Sequence, residues 1–199
     1  GWVVAGGQAE LQRQGCHGTS ACAAVWRTGS DAGSATLAQG FTAVPYRGKT
    51  VRVSGWLRME SGNPNDTARL WLRVVRTGGR AAFMDNMDDR PVKPSAWTYA
   101  EIVGNVAADA ATISFGVTSK DKGKAWVDGL TFEVVPDGTP LTVKPKVYPA
   151  EPQNLSLTQG EVGRLPAGWF SPVGLASFQR EGCRSASCAV VNPGDPFGN

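Results

Sequence analysis

Two stretches of alternating residues place tryptophan and arginine on one face of a predicted strand. In 51–59 and again in 68–74, apolar side chains occupy every second position and leave the other face to larger polar and aromatic groups. An indole ring can stack on a sugar ring, and a guanidinium group can donate hydrogen bonds to hydroxyl or carboxylate oxygens. The candidate ligand-binding residues are therefore Trp56, Trp71, Arg52, Arg58, Arg69 and Arg73.

The turn at 60–67 determines whether these two faces meet. If the turn closes a hairpin with Glu60 opposite Thr67, then Trp56 falls opposite Trp71 and the two tryptophans share one sheet surface. Such a surface is also compatible with cation–π packing beneath the chain's own loops, or with the docking of a neighbouring domain. The remaining bulky aromatics, Trp97, Tyr99 and Trp126, are expected in the core.

A cluster of acidic residues is the best candidate for a hard cation. Its members are Asp85, Asn86, Asp88 and Asp89. Carboxylate and amide oxygens are the ligands that calcium prefers, so one interpretation is a structural calcium site, although the spacing differs from that of an EF-hand loop. The other interpretation is a turn in which these side chains accept backbone N–H groups and Arg90 pairs with an acid.

Catalytic chemistry has little support. A serine–histidine–aspartate triad would need His17, the only histidine, which lies in a short loop between two cysteines and is expected to face solvent. A serine–lysine dyad stays open because no motif places one residue against the other. We therefore expect a chain without enzymatic activity, with an autonomous hydrolase as the remote alternative.

The chain begins to repeat itself near its end. Gly1-Trp2 returns as Gly168-Trp169, and the segments 12–16 and 179–183 are closely similar. Each copy has its own close pair of cysteines, so each should close its own disulfide. The expected bridges are Cys16–Cys22 and Cys183–Cys188. Zinc is a poor alternative, since neither pair has CxxC spacing, and disulfides indicate an exported protein in the periplasm or outside the cell.

The turn spacing predicts an all-β fold. Gly, Pro, Asn and Asp separate short alternating segments at the intervals typical of a β-sandwich or jelly roll. The predicted strands are 8–14, 21–27, 34–43, 50–60, 67–76, 80–84, 96–106, 111–118 and 124–135.

The domain organisation follows from the repeat. We expect a jelly-roll domain over 1–135, a proline-rich linker over 136–152 and the opening of a second tandem copy over 153–199. The second copy has a segment ahead of its Gly-Trp that the first copy lacks. Residues 153–168 are therefore expected to complete the first sandwich, either within one molecule or in a strand-swapped dimer.

Four segments resemble galactose-binding-like jelly-roll domains of exported bacterial proteins. They are 83–91 (FMDNMDDRP), 97–103 (WTYAEIV), 110–116 (AATISFG) and 125–133 (AWVDGLTFE). The second copy is most similar to the version found N-terminal to carboxy-terminal-processing (tail-specific) serine peptidases. The resemblance implies a non-catalytic accessory domain whose parent is a serine peptidase, and such domains often hold a structural calcium ion near their first strand.

The overall charge limits the classes of partner. The chain has 20 Lys and Arg against 17 Asp and Glu, a net charge of +3, without a run of like charge, which argues against nucleic acid. No apolar stretch is long enough to span a membrane. The leading hypothesis is an interaction module that positions an enzyme on a glycan, an envelope component or an adjoining catalytic domain. The alternative is a carbohydrate-binding module that uses Trp56 and Trp71.

Overall fold

The computed structural model describes residues 1–29, 33–94, 96–143, 150–169 and 176–191. It divides into two compact units, Gly1–Lys144 and Pro145–Asn199, and each is described by itself. Parts of the predicted linker and of the predicted second copy, residues 144–149, 170–175 and 192–199, lie outside the described residues. Within the described ranges, no helix is long and apolar enough to cross a membrane.

The first unit is a sandwich of two antiparallel five-stranded sheets, which confirms the predicted all-β jelly-roll class. Every predicted strand is found, with its ends shifted by at most two residues, and one further strand opens the chain. The strands are β1 Trp2–Ala5, β2 Gln8–Gln12, β3 Cys22–Trp26, β4 Ser34–Thr42, β5 Thr50–Glu60, β6 Thr67–Arg76, β7 Ala81–Asp85, β8 Thr98–Asn105, β9 Ala110–Lys120 and β10 Lys124–Val135. The first sheet has the order β1-β4-β9-β6-β7, and the second has the order β2-β3-β10-β5-β8.

The core lies between the inner faces of the two sheets and is built by strict alternation. Val51, Val53 and Leu57 of β5 are fully buried, and so are Leu70 and Leu72 of β6. Each such side chain contributes about 1.5–3 kcal/mol when it leaves water. The intervening side chains therefore point to the outer faces of the sandwich.

The 61–66 turn carries the chain from one sheet to the other. Strand β5 belongs to the second sheet and β6 to the first, so the predicted hairpin is wrong. Both strands have a strongly apolar face, and placing them in opposite sheets buries the two faces against each other. The turn is held by the fully buried Asp66, which accepts hydrogen bonds from the Ser61 hydroxyl at 2.6 Å and the Asn63 amide at 2.8 Å.

The hairpin formed by β2 and β3 is closed at its tip by the predicted Cys16–Cys22 disulfide. Beneath the loop lies Asp128 of β10, which is 3% exposed. Its Oδ2 accepts the backbone N–H groups of His17 at 2.7 Å, Gly18 at 3.0 Å and Thr19 at 3.3 Å, and Thr19 also donates its hydroxyl to Oδ1. One carboxylate thus fixes the whole loop.

The strand that carries Asp128 has a bulge directly after it. The pairing between β10 and β5 shifts register between Asp128 and Thr131. Gly129 takes a left-handed conformation there, with φ 59°. The bulge directs Leu130 over Gly55, where an added Cβ would lie 2.9 Å from the leucine methyl group.

The second unit contains a hairpin of the same design. Strands β11 Ala176–Gln179 and β12 Cys188–Val191 pair with Gln179 opposite Cys188, as Gln12 pairs with Cys22 in the first unit. The predicted Cys183–Cys188 disulfide closes it. Phe178 is fully buried beside Gly160 and forms a parallel bridge with Val162. Completion of the first sandwich by 153–168 stays a prediction.

The first part of the predicted linker packs on the first unit. Thr142 donates its hydroxyl to Asp85 at 2.6 Å and accepts the backbone N–H of Val103 at 3.1 Å. The first unit accordingly extends beyond the predicted boundary at residue 135.

Removal of the Cys16–Cys22 bridge should destabilise the first unit. In the chain-entropy account, a loop this short contributes about 2 kcal/mol. Cys16→Ser/Cys22→Ser should therefore lower the free energy of unfolding by about that amount, as measured by urea titration with circular dichroism. An unchanged midpoint would show that Asp128 alone restrains the loop.

Asp128→Asn should cost about 2 kcal/mol at pH 7, because an amide cannot accept all the hydrogen bonds that the charged carboxylate accepts. Burial by itself raises the pKa of Asp128, but the hydrogen bonds from Thr19, Gly18 and His17 outweigh it and lower the pKa below its ordinary value. The stabilisation is therefore complete above about pH 4 and is lost as the pH falls through the folded-state pKa.

Urea unfolding at a series of pH values measures this contribution as the difference between wild type and Asp128→Asn. The difference should shrink below about pH 4. Asp109→Asn is the matched control, since Asp109 is an exposed carboxylate that pairs with the exposed Arg76, and it should change stability little. A difference that persists unchanged at low pH would contradict the role of the charged carboxylate.

Candidate functional site

A groove of about 510 Å³ lies on the outer face of the first sheet. Strand β6 runs along it, with β9 and β4 on one side and β7 on the other. The inner residues of β6 are buried, and its outer residues face the groove. The lining residues are Gly33, Ser34, Thr36, Arg69, Trp71, Arg73, Met84, Asn86, Ser114, Thr118 and Lys120.

Trp71 lies at the centre of the groove, directly over a glycine. The register pairs Gly116 of β9 with Trp71 of β6 on one side and with Ala38 of β4 on the other. A Cβ on Gly116 would lie only 3.0 Å from Cζ2 of the indole and 2.2 Å from the carbonyl oxygen of Leu37. Because Gly116 has no side chain, the indole of Trp71 can lie close to the sheet, and the tryptophan is half-buried.

Hydroxyl groups surround this indole along β4 and β9. The Thr36 and Thr118 hydroxyls hydrogen-bond to each other at 2.9 Å, and Ser34 and Ser114 lie nearby on the same strands. A hydroxyl has one donor and two acceptor positions, so such groups can still bond to a ligand. The groove therefore combines an aromatic platform with small polar groups.

The two arginines of β6 that line the groove differ in their partners. Arg69 pairs with Asp88 and donates to the Thr67 hydroxyl at 3.2 Å. Arg73 is exposed and forms no ion pair or hydrogen bond with the residues that the structure describes. Of these two arginines, it is thus Arg73 whose side chain can bind a charged ligand without first losing a described partner.

The other candidate tryptophan lies on the opposite side of the sandwich. Trp56 is on the outer face of the second sheet, where the His17 ring stacks on it at 3.8 Å with an interplanar angle of 16°. Tyr99 meets its edge at 5.6 Å. The structure thus separates Trp56 from Trp71, and the chain's own disulfide loop covers Trp56.

The cations of the second sheet are already engaged. Arg58 lies 4.7 Å from the ring centre of Trp126 and 5.3 Å from that of Trp97, and it also pairs with Glu60 at 3.5 Å. Arg52 pairs with Glu101 at 3.4 Å and with Glu133 at 3.3 Å. These interactions match the cation–π alternative rather than an open ligand site.

The expectation that Trp97, Tyr99 and Trp126 lie in the core is confirmed for Trp126, against which Trp97 packs, and is wrong for Tyr99. Trp126 is buried, but beneath Arg58 on the outer face of the second sheet. Tyr99 is 47% exposed. The core between the two sheets contains the buried Phe115, and the partly buried Phe41 and Phe132 pack against that core.

The acidic cluster forms a turn held by ion pairs. Asp85 accepts the backbone N–H of Met87 at 3.0 Å and a hydrogen bond from Arg90 at 2.6 Å. Arg90 also binds Asp89 at 2.8 Å. Burial raises the pKa of Asp85, but the hydrogen bonds from Arg90, Thr142 and the Met87 backbone outweigh it and lower the pKa.

This geometry matches the turn interpretation of the cluster. Among the described residues, no group of three or more histidine, cysteine or acidic side chains is arranged to hold a metal ion. A structural calcium ion stays a prediction. The cluster nevertheless belongs to the site, because Asn86 lines the groove and Asp88 binds Arg69.

His17 has a structural environment rather than a catalytic one. Its ring stacks on Trp56, and it is the His17 backbone N–H, not the imidazole, that donates to Asp128. Within the described part of the chain, no hydrogen bond joins the imidazole to a serine or a carboxylate. A triad centred on His17 is therefore not assembled.

The prediction of site residues missed the half of the groove that β4 and β9 form. In β9, Ser114, Gly116 and Thr118 alternate with buried apolar residues. A glycine between two hydroxyl residues on an outward face was a signal that another side chain approaches the backbone there. Only the fold shows that this side chain is Trp71.

A second depression of about 380 Å³ lies at the edge of the sandwich, between β1 and β2. Its lining is mainly hydrocarbon, with Trp2, Leu11 and Leu130 among the contributing residues. Its two carboxylates are Glu10, which pairs with Lys124, and Asp128, which is saturated by the disulfide loop. It therefore offers few polar groups to a hydroxyl-rich ligand.

Solved structures share the architecture that carries the groove. The C-terminal family 22 carbohydrate-binding module of Clostridium thermocellum Xyn10B matches with a TM-score of 0.54 and 20% identity, covering 67% of this chain and 84% of the module. The CBM22-1 xylan-binding domain of Paenibacillus barcinonensis Xyn10C matches with a TM-score of 0.54 and 14% identity, covering 68% of this chain and 86% of that domain. At these identities the likeness shows the fold alone.

One curated protein matches at the level of sequence, and no protein-family model matches the chain. That protein is the uncharacterized HTH-type transcriptional regulator YbfP of Bacillus subtilis (strain 168), which is 32% identical over 169 residues. The match covers 80% of this chain, and the chain spans about 57% of the length of the regulator. The first unit thus shares its β-sandwich fold with these two carbohydrate-binding modules.

Proposed function

We propose that the first unit is a non-catalytic carbohydrate-binding module whose binding site is the groove on the first sheet. One observation carries this proposal: Trp71 is held over Gly116 at the centre of an open groove that is otherwise lined by hydroxyl and cationic groups. The apolar face of a pyranose ring stacks on an indole, while its hydroxyl groups hydrogen-bond to the polar side chains around it.

The solved relatives support the same class of ligand. The matched domain of Paenibacillus barcinonensis Xyn10C is a xylan-binding domain, and it shares the sandwich over about two thirds of this chain. The proposal changes the sequence-based alternative in one respect. Trp71 acts without Trp56, because the two residues lie on opposite sheets and His17 covers Trp56.

The wider setting of the module is the second part of the proposal. Two disulfides favour an exported protein. Attachment to a serine peptidase rests on the sequence resemblance alone. The exposed apolar depression around Trp2 and Leu11 is the feature that favours a second function, namely contact with an adjoining domain.

Trp71→Ala should weaken glycan binding, whereas Trp56→Ala should leave it intact. Both tryptophans are half-buried on an outer face, so the two variants remove similar surfaces from opposite sides of the same sandwich. We expect Trp71→Ala to weaken binding at least about tenfold, equivalent to about 1.4 kcal/mol. Affinity electrophoresis against immobilised neutral and acidic polysaccharides, followed by isothermal titration calorimetry, measures the change.

Equal losses in the two variants, or loss only in Trp56→Ala, would contradict the assignment of the groove. Circular dichroism of both variants checks that each remains folded. The hydrolase alternative is tested by incubating the wild-type protein with the polysaccharide that it binds and, in parallel, with ester and peptide substrates. We expect no released product. Binding of a separate catalytic domain but of no glycan would favour the interaction module instead.

A further inference from the structure

The charge of the groove indicates which sugars it binds, given that the proposed function holds. We propose that the groove selects acidic glycans, that is, chains of sugars with carboxylate groups, and that Arg73 and Lys120 bind those carboxylates. The proposal deepens the function assigned to the site by naming the chemical class of its ligand.

The strand register places the two cations around the aromatic platform. Arg73 lies two residues beyond Trp71 on β6, about 7 Å along the strand, and opposite Ser114 of β9. Lys120 lies at the other end of the groove, on β9 and opposite Ser34 of β4. A glycan that stacks on Trp71 and follows β6 therefore has a cation near each end.

These two cations lack the partners that neutralise the other arginine of the groove. Asp88 neutralises Arg69. Arg73 and Lys120 are exposed and form no ion pair with any residue that the structure describes. The described lining of the groove contains no carboxylate. Among the described residues of the lining, the positive charge of Arg73 and Lys120 is thus uncompensated, although the whole chain has a net charge of only +3.

The opposite face of the same sandwich provides an internal comparison. There, Arg52 and Arg58 pair with glutamates, and Lys124 pairs with Glu10 at 3.1 Å while lying 4.3 Å from the ring centre of Trp26. The chain therefore neutralises the cations of its covered face and leaves two free on its open face. Free cations beside a stacking platform match a ligand that supplies the negative charge.

A carboxylate fits these cations better than a neutral hydroxyl does. The planar guanidinium group of Arg73 can donate two parallel hydrogen bonds to the two oxygens of one carboxylate. The ammonium group of Lys120 adds a point charge with three donors. Because both groups are exposed, their attraction is screened by salt, so the preference for acidic sugars should weaken as ionic strength rises.

The test compares one sugar backbone with and without its charge. Oligogalacturonate and its methyl ester, and oligomannuronate and its methyl ester, are titrated into the full chain by isothermal titration calorimetry in low and in physiological salt. We expect at least one acid to bind at least about tenfold more tightly than its ester at low salt, with a smaller ratio at higher salt.

Arg73→Gln/Lys120→Gln should bring the acid and its ester to equal affinity while the ester itself still binds. The matched control is Lys122→Gln, which removes one charge from the adjacent turn outside the groove. It should leave the ratio unchanged. Circular dichroism and the urea midpoint confirm that all the variants are folded.

The outcomes separate the two proposals. Equal binding of acid and ester by wild type overturns the inference and leaves the carbohydrate-binding function intact. A preference that survives Arg73→Gln/Lys120→Gln, or that falls equally in Lys122→Gln, overturns the assignment of the two cations. Tighter binding of a sulfated galactan than of either acid replaces carboxylate by sulfate as the ligand group. If wild type binds none of these sugars and no xylan, galactan or galactomannan, the proposed function itself is wrong.

Discussion

The structure depends on the burial of two apolar strand faces against each other across the 61–66 turn. Strands β5 and β6 follow one another in the chain, and each has aliphatic side chains at alternate positions. In one sheet they would present these side chains side by side, whereas in opposite sheets they form the centre of a single core. The same crossover sends the intervening tryptophans and arginines to opposite outer faces, so it decides which residues can share a site.

The two outer faces contain the same residue types but have different chemistry, because one is covered and the other is open. On the second sheet, Asp128 fixes the disulfide loop, and the loop lays His17 on Trp56. Across the rest of that sheet, Arg58 lies over Trp126 and pairs with Glu60. Lys124 lies over Trp26. On the first sheet no described loop covers Trp71, and its neighbours keep free polar groups.

The strands, the sheet class and both disulfides could be predicted from the sequence because each depends on local spacing: alternation, turn residues and the distance between paired cysteines. The placement of β5 and β6 in opposite sheets could not be predicted. A six-residue turn rich in Gly, Asn and Asp suits both a hairpin and a crossover, and only the core decides between them. For the same reason, the contact between Trp71 and Gly116 depends on a register that neither strand specifies alone.

The acidic turn and the arginine strand, which look like separate features in the sequence, form one structure. Asp85 is anchored by Arg90 and Thr142, and this anchoring fixes the residues that follow it. Asn86 then reaches the groove, and Asp88 binds Arg69. The turn therefore contributes Asn86 to the lining of the groove and also affects its charge, because Asp88 neutralises Arg69 while Arg73 has no described ion-pair partner. From sequence alone, the acidic residues of this turn suggest a binding site for a metal cation. In the structure, the turn instead determines which arginine beside Trp71 keeps its positive charge unpaired.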